Sequence, residues 1–208
     1  MFSDLPLKEF IEELSSSNPT PGGGAASAIV GAFGFALVSM VLSIRQKKNP
    51  DAETELLIKD AKEKLNLLIE LSSKDANAFD HFMEALELPK ESEEQKEIRK
   101  RKIQEALKES TIVPFEVINV LYEGSKMLNK VKELCPKSAI SDLYTAIGFF
   151  EASFEGAKSN VLINLQSVKD EKFVLDINSK LSVIESALKS RFYTLKDEIY
   201  STLKIKEA

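Results

Sequence analysis

Histidine and cysteine are nearly missing from this chain: 208 residues hold one of each, His81 and Cys135. A lone cysteine excludes an intrachain disulfide and fits a reducing compartment. One histidine and one cysteine far apart in sequence leave little for a zinc site, so no metal is expected. Basic residues are not in excess either. The 28 Lys and Arg face 33 Asp and Glu, for a net charge of −5, which argues against nucleic acid as the main partner. The opening MFSDLPLKEFIEEL lacks the basic start and apolar run of a signal peptide, so a cytoplasmic protein is expected. No alternating strand pattern, no hairpin dipeptide between strands and no internal repeat is present. These gaps leave an all-α chain, and 43% hydrophobic residues suffice for one domain over residues 1–208 with a sizeable core.

The most distinctive stretch runs from Asn18 to Ile44, NPTPGGGAASAIVGAFGFALVSMVLSI. Pro19 and Pro21 stiffen the approach. Gly22, Gly23 and Gly24 permit backbone conformations closed to other residues and leave the backbone N–H groups uncovered. From Ala25 to Ile44 neither proline nor a polar cluster interrupts, so a glycine-rich loop feeds a helix N-terminus, which favours an anion or a carbonyl oxygen. The triplet is neither a Walker loop nor a dinucleotide fingerprint. The run is long enough to span a bilayer. Yet Ala, Gly and Ser make up much of it, and the rest of the chain is charged and amphipathic with no second such run. A long buried central helix is therefore expected rather than a membrane span. Ser27, Ala28, Gly31, Ala32 and Gly34 place small residues at helical spacing, suited to close helix contact.

The remaining segments read as helices joined by short breaks. Leu5–Ser16 is amphipathic, with Leu7, Phe10, Ile11 and Leu14 on one face and Ser3 or Asp4 as cap. Lys47 and Lys48 close the central helix favourably. Ala52–Leu86 follows, with Leu56, Ala61, Leu65, Leu68 and Phe79 on or near its apolar side, and Leu88–Pro89 ends it. The charge-dense ESEEQKEIRKRK reads as a solvated helical start. Pro114 predicts a kink or break between Ile98 and Leu121, and Val117–Leu134 continues as helix. CPKSAISD is a loop in which Ser141 or Asp142 caps the next helix, Leu143–Leu165, itself rich in Ala and Gly. Asp170 to the C-terminus is the last helix. The result is a helical bundle with two small-residue-rich helices near its middle. Those two helices carry more small and apolar surface than one such bundle needs to bury, so at least a dimer is expected.

Four segments, NPTPGGGAASA, SSKDANAFDHFMEALELPK, KSAISD and KSNVLINL, resemble in this order the formiminotransferase-cyclodeaminase C-terminal domain family, which includes stand-alone methenyltetrahydrofolate cyclohydrolases. The resemblance spans nearly the whole chain. With no formiminotransferase domain alongside, the sequence looks like the stand-alone form. The resemblance implies an all-helical protein, dimeric or higher, acting on one-carbon units carried by tetrahydrofolate. Where relatives often have Gly-Asn before the Ser-Asp loop, this chain has Cys135–Pro136.

Both reactions implied pass through a tetrahedral carbon between N5 and N10 of the folate and need acid–base groups rather than a metal. Cyclodeamination expels ammonia from the formimino compound; cyclohydrolysis adds water to the methenyl carbon. Asp75 and Asp142 are the catalytic candidates. Without the resemblance, Asp75 reads as a solvated acid beside Lys74 and Asp142 as a helix cap. Asp80, five residues on, falls on another helix face. Asn160 and Asn164, spaced i and i+4 on one helix face, offer amides suited to a pterin edge or to a helix–helix hydrogen-bond pair within the core. Pro21, Gly22, Gly23, Gly24 and Ser141 complete the expected substrate-binding set, with Lys47 on the folate glutamate. Lys137 reads as surface charge, and His81 takes no part. Phe33, Phe35, Phe149 and Phe150 read as core. Cyclodeaminase leads because ELPKESEEQKEIRKRKIQEALKES resembles the bifunctional enzymes. Cyclohydrolase follows on the strength of AISD, and a non-catalytic helical binding protein is the remaining alternative.

Overall fold

Helical periodicity along nearly the whole sequence is realised as helix. The computed structural model describes residues 5–203; among these, seven α-helices and one 3₁₀ turn account for the chain, with no strand. The helices are α1 (Leu7–Leu14), α2 (Gly23–Lys48), α3 (Ala52–Glu87), α4 (Glu93–Ser125), α5 (Leu128–Leu134), α6 (Ile140–Leu165) and α7 (Glu171–Leu203), with the 3₁₀ turn at Lys137–Ala139. The expected all-α bundle is present.

α2 is its central element and packs antiparallel along α3 on one side and α6 on the other. Gly24 faces Asp75 and Gly31 lies near Leu68 of α3, while Ser27 meets Gly156 and Gly34 meets Phe150 of α6. These small residues let the backbones approach. The Ser153 hydroxyl reaches across to donate to the Ser27 carbonyl at 2.7 Å. Phe35 and Phe150 fill the centre, fully buried with ring centroids 4.6 Å apart. Each such side chain taken out of water contributes roughly 1.5–3 kcal/mol.

The burial of α2 is one-sided. Phe33 and Met40 are 41% and 39% exposed, and Ile29, Val30 and Leu37 are half-buried, so an uncharged apolar stripe runs along the outer face. Phe33 pairs there with Phe149 at 6.2 Å, outside the core expected for both rings.

Local chemistry sets the element ends. Asp51 caps α3 by accepting from the Thr54 backbone N–H at 2.8 Å. Ser92 and Gln95 form a reciprocal capping box at the start of α4. Several expectations are corrected. The glycine triplet is no extended loop: Gly22 is the N-cap, and Gly23 and Gly24 already belong to the first turn of α2. No glycine has a positive φ, so close approach rather than backbone freedom calls for glycine here. α4 runs unbroken through the buried Pro114 and ends at Ser125, short of the expected continuation to Leu134. Ser141 and Asp142 lie inside the first turn of α6, whose cap position is Ala139, so neither caps it. Leu56 is 66% exposed, off the apolar side of α3. Of α1's apolar face only Phe10 is buried, with Leu7 and Ile11 exposed. Pro6 stands at the α1 cap position, and Ser3 and Asp4 lie outside the described residues.

Candidate active site

The N-terminus of α2 has no acid in its first turn and no side-chain cap of its own. Its first N–H groups therefore lack local partners. Asp75 of α3 comes from the neighbouring helix to fill this role. Its carboxylate packs on Gly24, in space that any Cβ there would occupy. Burial pushes the Asp75 carboxyl above its ordinary range, while the backbone N–H of Ala25, directed at it, pulls the other way. The balance leaves an acid that holds its proton to higher pH than a surface aspartate.

Asp75 opens onto a cavity of about 450 Å³ between the α2 N-terminus, α3, α4 and the C-terminal half of α6. Pro19, Thr20 and Gly22–Gly24 form one wall, where the Thr20–Pro21 peptide is cis. Asp75, Phe79 and Phe82 come from one face of α3, spaced i, i+4 and i+7. Asn160, Ile163, Asn164 and Ser167 supply the opposite wall at the same kind of spacing.

The two amides are held differently. The Asn160 side chain donates to the Gly156 carbonyl of its own helix at 2.9 Å and lies against Gly23. The Asn164 side chain donates to the Ser110 carbonyl of α4 at 2.6 Å. Pro114 explains why that carbonyl is available. It stands four residues beyond Ser110 and has no N–H to return along the helix. The proline thus frees an acceptor without breaking α4, and α6 uses it. The cavity gathers one half-buried carboxyl, two fixed amides, a helix N-terminus and two phenylalanines, an arrangement suited to moving a proton beside a flat polar ring. A separate cavity of about 340 Å³ between α3 and α4 holds His81, paired with Glu109 at 3.1 Å, and Glu84 and Glu105. It has neither amides nor a helix N-terminus.

The sequence matches the profile of the formiminotransferase-cyclodeaminase family over residues 6–183. The chain belongs to the formiminotransferase-cyclodeaminase family. It is 37% identical to the methenyltetrahydrofolate cyclohydrolase of Methylorubrum extorquens, with 99% of each chain covered. It is 32% identical to the formimidoyltransferase-cyclodeaminase of Sus scrofa, covering 93% of this chain but only 37% of that longer protein. The crystal structure of formiminotetrahydrofolate cyclodeaminase from Thermotoga maritima superposes with a TM-score of 0.87 at 32% identity, over 98% of this chain and all of that one.

Three of the four segments that carry the family resemblance meet at the cavity: residues 18–28, 72–90 and 158–165. Asp75, Gly22, Gly23, Gly24, Asn160 and Asn164 are brought together there, with Pro21 buried just behind the wall. The fourth segment, residues 137–142, is elsewhere. Asp142 lies 18 residues before Asn160 on α6, roughly 27 Å away along the helix. Lys47 lies at the same far end, about 35 Å from Gly24 along α2. Within one chain, Ser141, Asp142 and Lys47 do not reach the cavity. Asp142 instead stands near Cys135, where its charge adds to burial in pushing the thiol up to about 11.

Sequence reasoning missed Phe79, Phe82, Leu107 and Ser110 as cavity residues. The signals were available: Phe79 and Phe82 recur on the Asp75 face, and a mid-helix proline marks the carbonyl four residues earlier.

Proposed function

We propose that this protein is a tetrahydrofolate one-carbon enzyme that closes 5-formiminotetrahydrofolate to the 5,10-methenyl form with release of ammonia. The observation that carries this reading is the half-buried carboxyl of Asp75 in a cavity lined by amides. N10 attacks the formimino carbon to form a tetrahedral centre, and the N10 proton passes to the Asp75 carboxylate. Asp75 then returns a proton to the departing nitrogen, the C–N bond breaks, and ammonia leaves. A carboxyl raised by burial is suited to the second step, where it must donate. Asn160 and Asn164 hold the pterin edge, and the N-terminus of α2 faces a carbonyl oxygen or carboxylate of the substrate. No step calls for a metal.

A second reading, ring opening of methenyltetrahydrofolate to the 10-formyl compound, is favoured by the 37% identity to a cyclohydrolase over 99% of both chains. The same carboxyl would then act first as base on water. Methenyl absorbance, followed with each substrate in turn in the presence of EDTA, separates the two. Methenyl formation from the formimino compound is the expected result. Turnover only between methenyl and 10-formyl forms moves the assignment to the second reading, and no turnover with intact folate binding leaves a binding protein.

We also propose a homodimer through the outer face of α2 and α6. The exposed Phe33–Phe149 pair lies midway along both helices. A two-fold axis near it would carry Ser141, Asp142 and Lys47 of one copy toward the cavity of the other, which accounts for family-like segments at both ends of α6. Light scattering on Phe33→Glu should show a monomer where the wild type is a dimer; a monomeric wild type at micromolar concentration rejects the interface.

A further inference from the structure

α3 and α4 both line the candidate active site, and side-chain hydrogen bonds join the two helices at three places among the described residues. Arg99 donates to the Leu86 carbonyl at 3.2 and 2.9 Å. The Ser110 hydroxyl donates to the Ala78 carbonyl at 3.3 Å. Between these, His81 Nδ1 meets Glu109 Oε2 at 3.1 Å. Only the last of the three changes its charge near neutral pH.

His81 and Glu109 each stand next to a residue of the cavity. Phe82 follows His81 on α3 and Ser110 follows Glu109 on α4, and both line the site. The Ser110 carbonyl holds Asn164 at 2.6 Å. With Pro114 four residues on, α4 lacks one of its own backbone hydrogen bonds here, so its position leans on ties to the neighbouring helices.

The charges around His81 are nearly all of one sign. Asp80 and Glu84 lie on its own helix, and Glu105 and Glu109 stand across from it on α4. Lys102, the lysine lining the same gap, pairs with Glu105 at 2.7 Å. α2, which also packs along α3, carries no charged residue before Arg45. Protonated, the imidazole donates a charge-assisted hydrogen bond to Glu109 and offsets the carboxylates of both helices. Neutral, it leaves those carboxylates facing one another across the gap. The bond to Glu109, with the nearby charges of Glu109, Glu84 and Asp80, holds the His81 pKa above its ordinary 6.5. The tie is therefore complete below 6.5 and is lost as pH rises through the raised value.

We propose that His81 is a positioning residue for the candidate active site: protonated, it ties α3 to α4 through Glu109 and holds Phe82 and Ser110 in place, so that the cavity binds its ligand more tightly with His81 charged than neutral. His81 touches no substrate and acts only through those two residues, a part that the sequence alone does not give it. The inference rests on the folate reading for the ligand that tests it. Both side chains of the tie are about half exposed, which puts the coupling at the low end of the usual range, about fivefold in affinity.

His81 is the single histidine of the chain, so in the untagged protein its ring protons give one unambiguous NMR titration. The wild-type midpoint should lie above 6.5, and E109Q should bring it back toward 6.5. Affinity for 5-formyltetrahydrofolate is then measured from about pH 5.5 to about pH 8.5 on wild type, H81Q and H81K, with circular dichroism confirming that the variants are folded. Wild-type affinity should fall about fivefold across that window. H81Q should bind weakly throughout. H81K, a cation at every pH in the window, should bind tightly throughout. Saturating ligand should move the wild-type His81 midpoint up by about 0.7 on the pH scale, the same fivefold read from the other side. A midpoint that E109Q does not lower overturns the tie. An affinity step that survives in H81Q and H81K belongs to another group and overturns the coupling, as does a midpoint that the ligand leaves unmoved. A wild type that binds no 5-formyltetrahydrofolate at any pH overturns the folate reading and the coupling together, while the E109Q titration still decides whether the tie exists.

Discussion

Gly24 and Asp75 stand face to face across the α2–α3 contact, so close that the Cβ of any other residue at position 24 would fall on the Asp75 carboxylate. The glycine is therefore part of how the acid is positioned. A carboxylate this short has nowhere to go except out of its place at the helix N-terminus.

Gly24→Ala should accordingly displace Asp75 and abolish turnover, with a loss of about 1–3 kcal/mol in stability from overpacking. Gly23→Ala should be tolerated, because its Cβ would stand 3.4 Å from the Asn160 side-chain nitrogen, an ordinary contact. Urea titration and the methenyl assay on both variants check this. A fully active Gly24→Ala protein would mean that Asp75 has room to work from another position.

Asp75→Asn should keep the fold and lose activity by roughly 10²–10⁴-fold, the usual contribution of a general acid or base. The wild-type pH–rate profile should show an ionisation above the ordinary aspartate value, and the variant should lack it. The sign for stability follows from the raised carboxyl. Ionising Asp75 costs the folded state, so its contribution to stability falls as pH climbs from the ordinary value of 3.8 to the raised one, and stays lost above it. Asp75→Asn removes that dependence. Urea midpoints compared at pH 4 and pH 7 measure the difference.

How far the site was legible in the sequence follows from the same residues. Helical periodicity announced the bundle and the central helix, and Asn160 and Asn164 could be paired by their i,i+4 spacing. Asp75 read as a surface acid, because nothing local says that a neighbouring helix will begin beside it. Which end of a long helix a residue occupies fixes its distance from everything else, and this is why Asp142 stands far from Asp75 although both lie in segments that resemble the family; Lys47, outside those segments, stands at the same far end. The glycine triplet misled in a different way. Its demand for glycine comes from a side chain 51 residues away in sequence, Asp75 against Gly24, and not from its own backbone angles.

Cys135 should be a slow nucleophile. With its thiol pushed up from 9.0 to about 11, the thiolate fraction near pH 8 is about 100-fold below that of an unperturbed thiol. Iodoacetamide labelling of the native protein should be slower by about that factor than labelling in urea. Asp142→Asn should speed it modestly by removing the nearby charge. Native labelling at the unfolded rate would contradict the burial of this thiol.

Ser92→Ala should cost about 1 kcal/mol by removing half of the capping box with Gln95 at the start of α4. Thermal melts of wild type and variant measure the difference.

Pro114 has a consequence for alignment. A carbonyl that the residue four positions on cannot serve accepts instead from the side chain of Asn164, and so it works as a notch against which α6 is indexed. Sliding α6 by one turn along α4 would strand that acceptor and misplace both amides, at a cost of roughly 1–3 kcal/mol for the unmet carbonyl alone. One missing backbone hydrogen on α4 thereby locates a side chain of another helix to within a single residue.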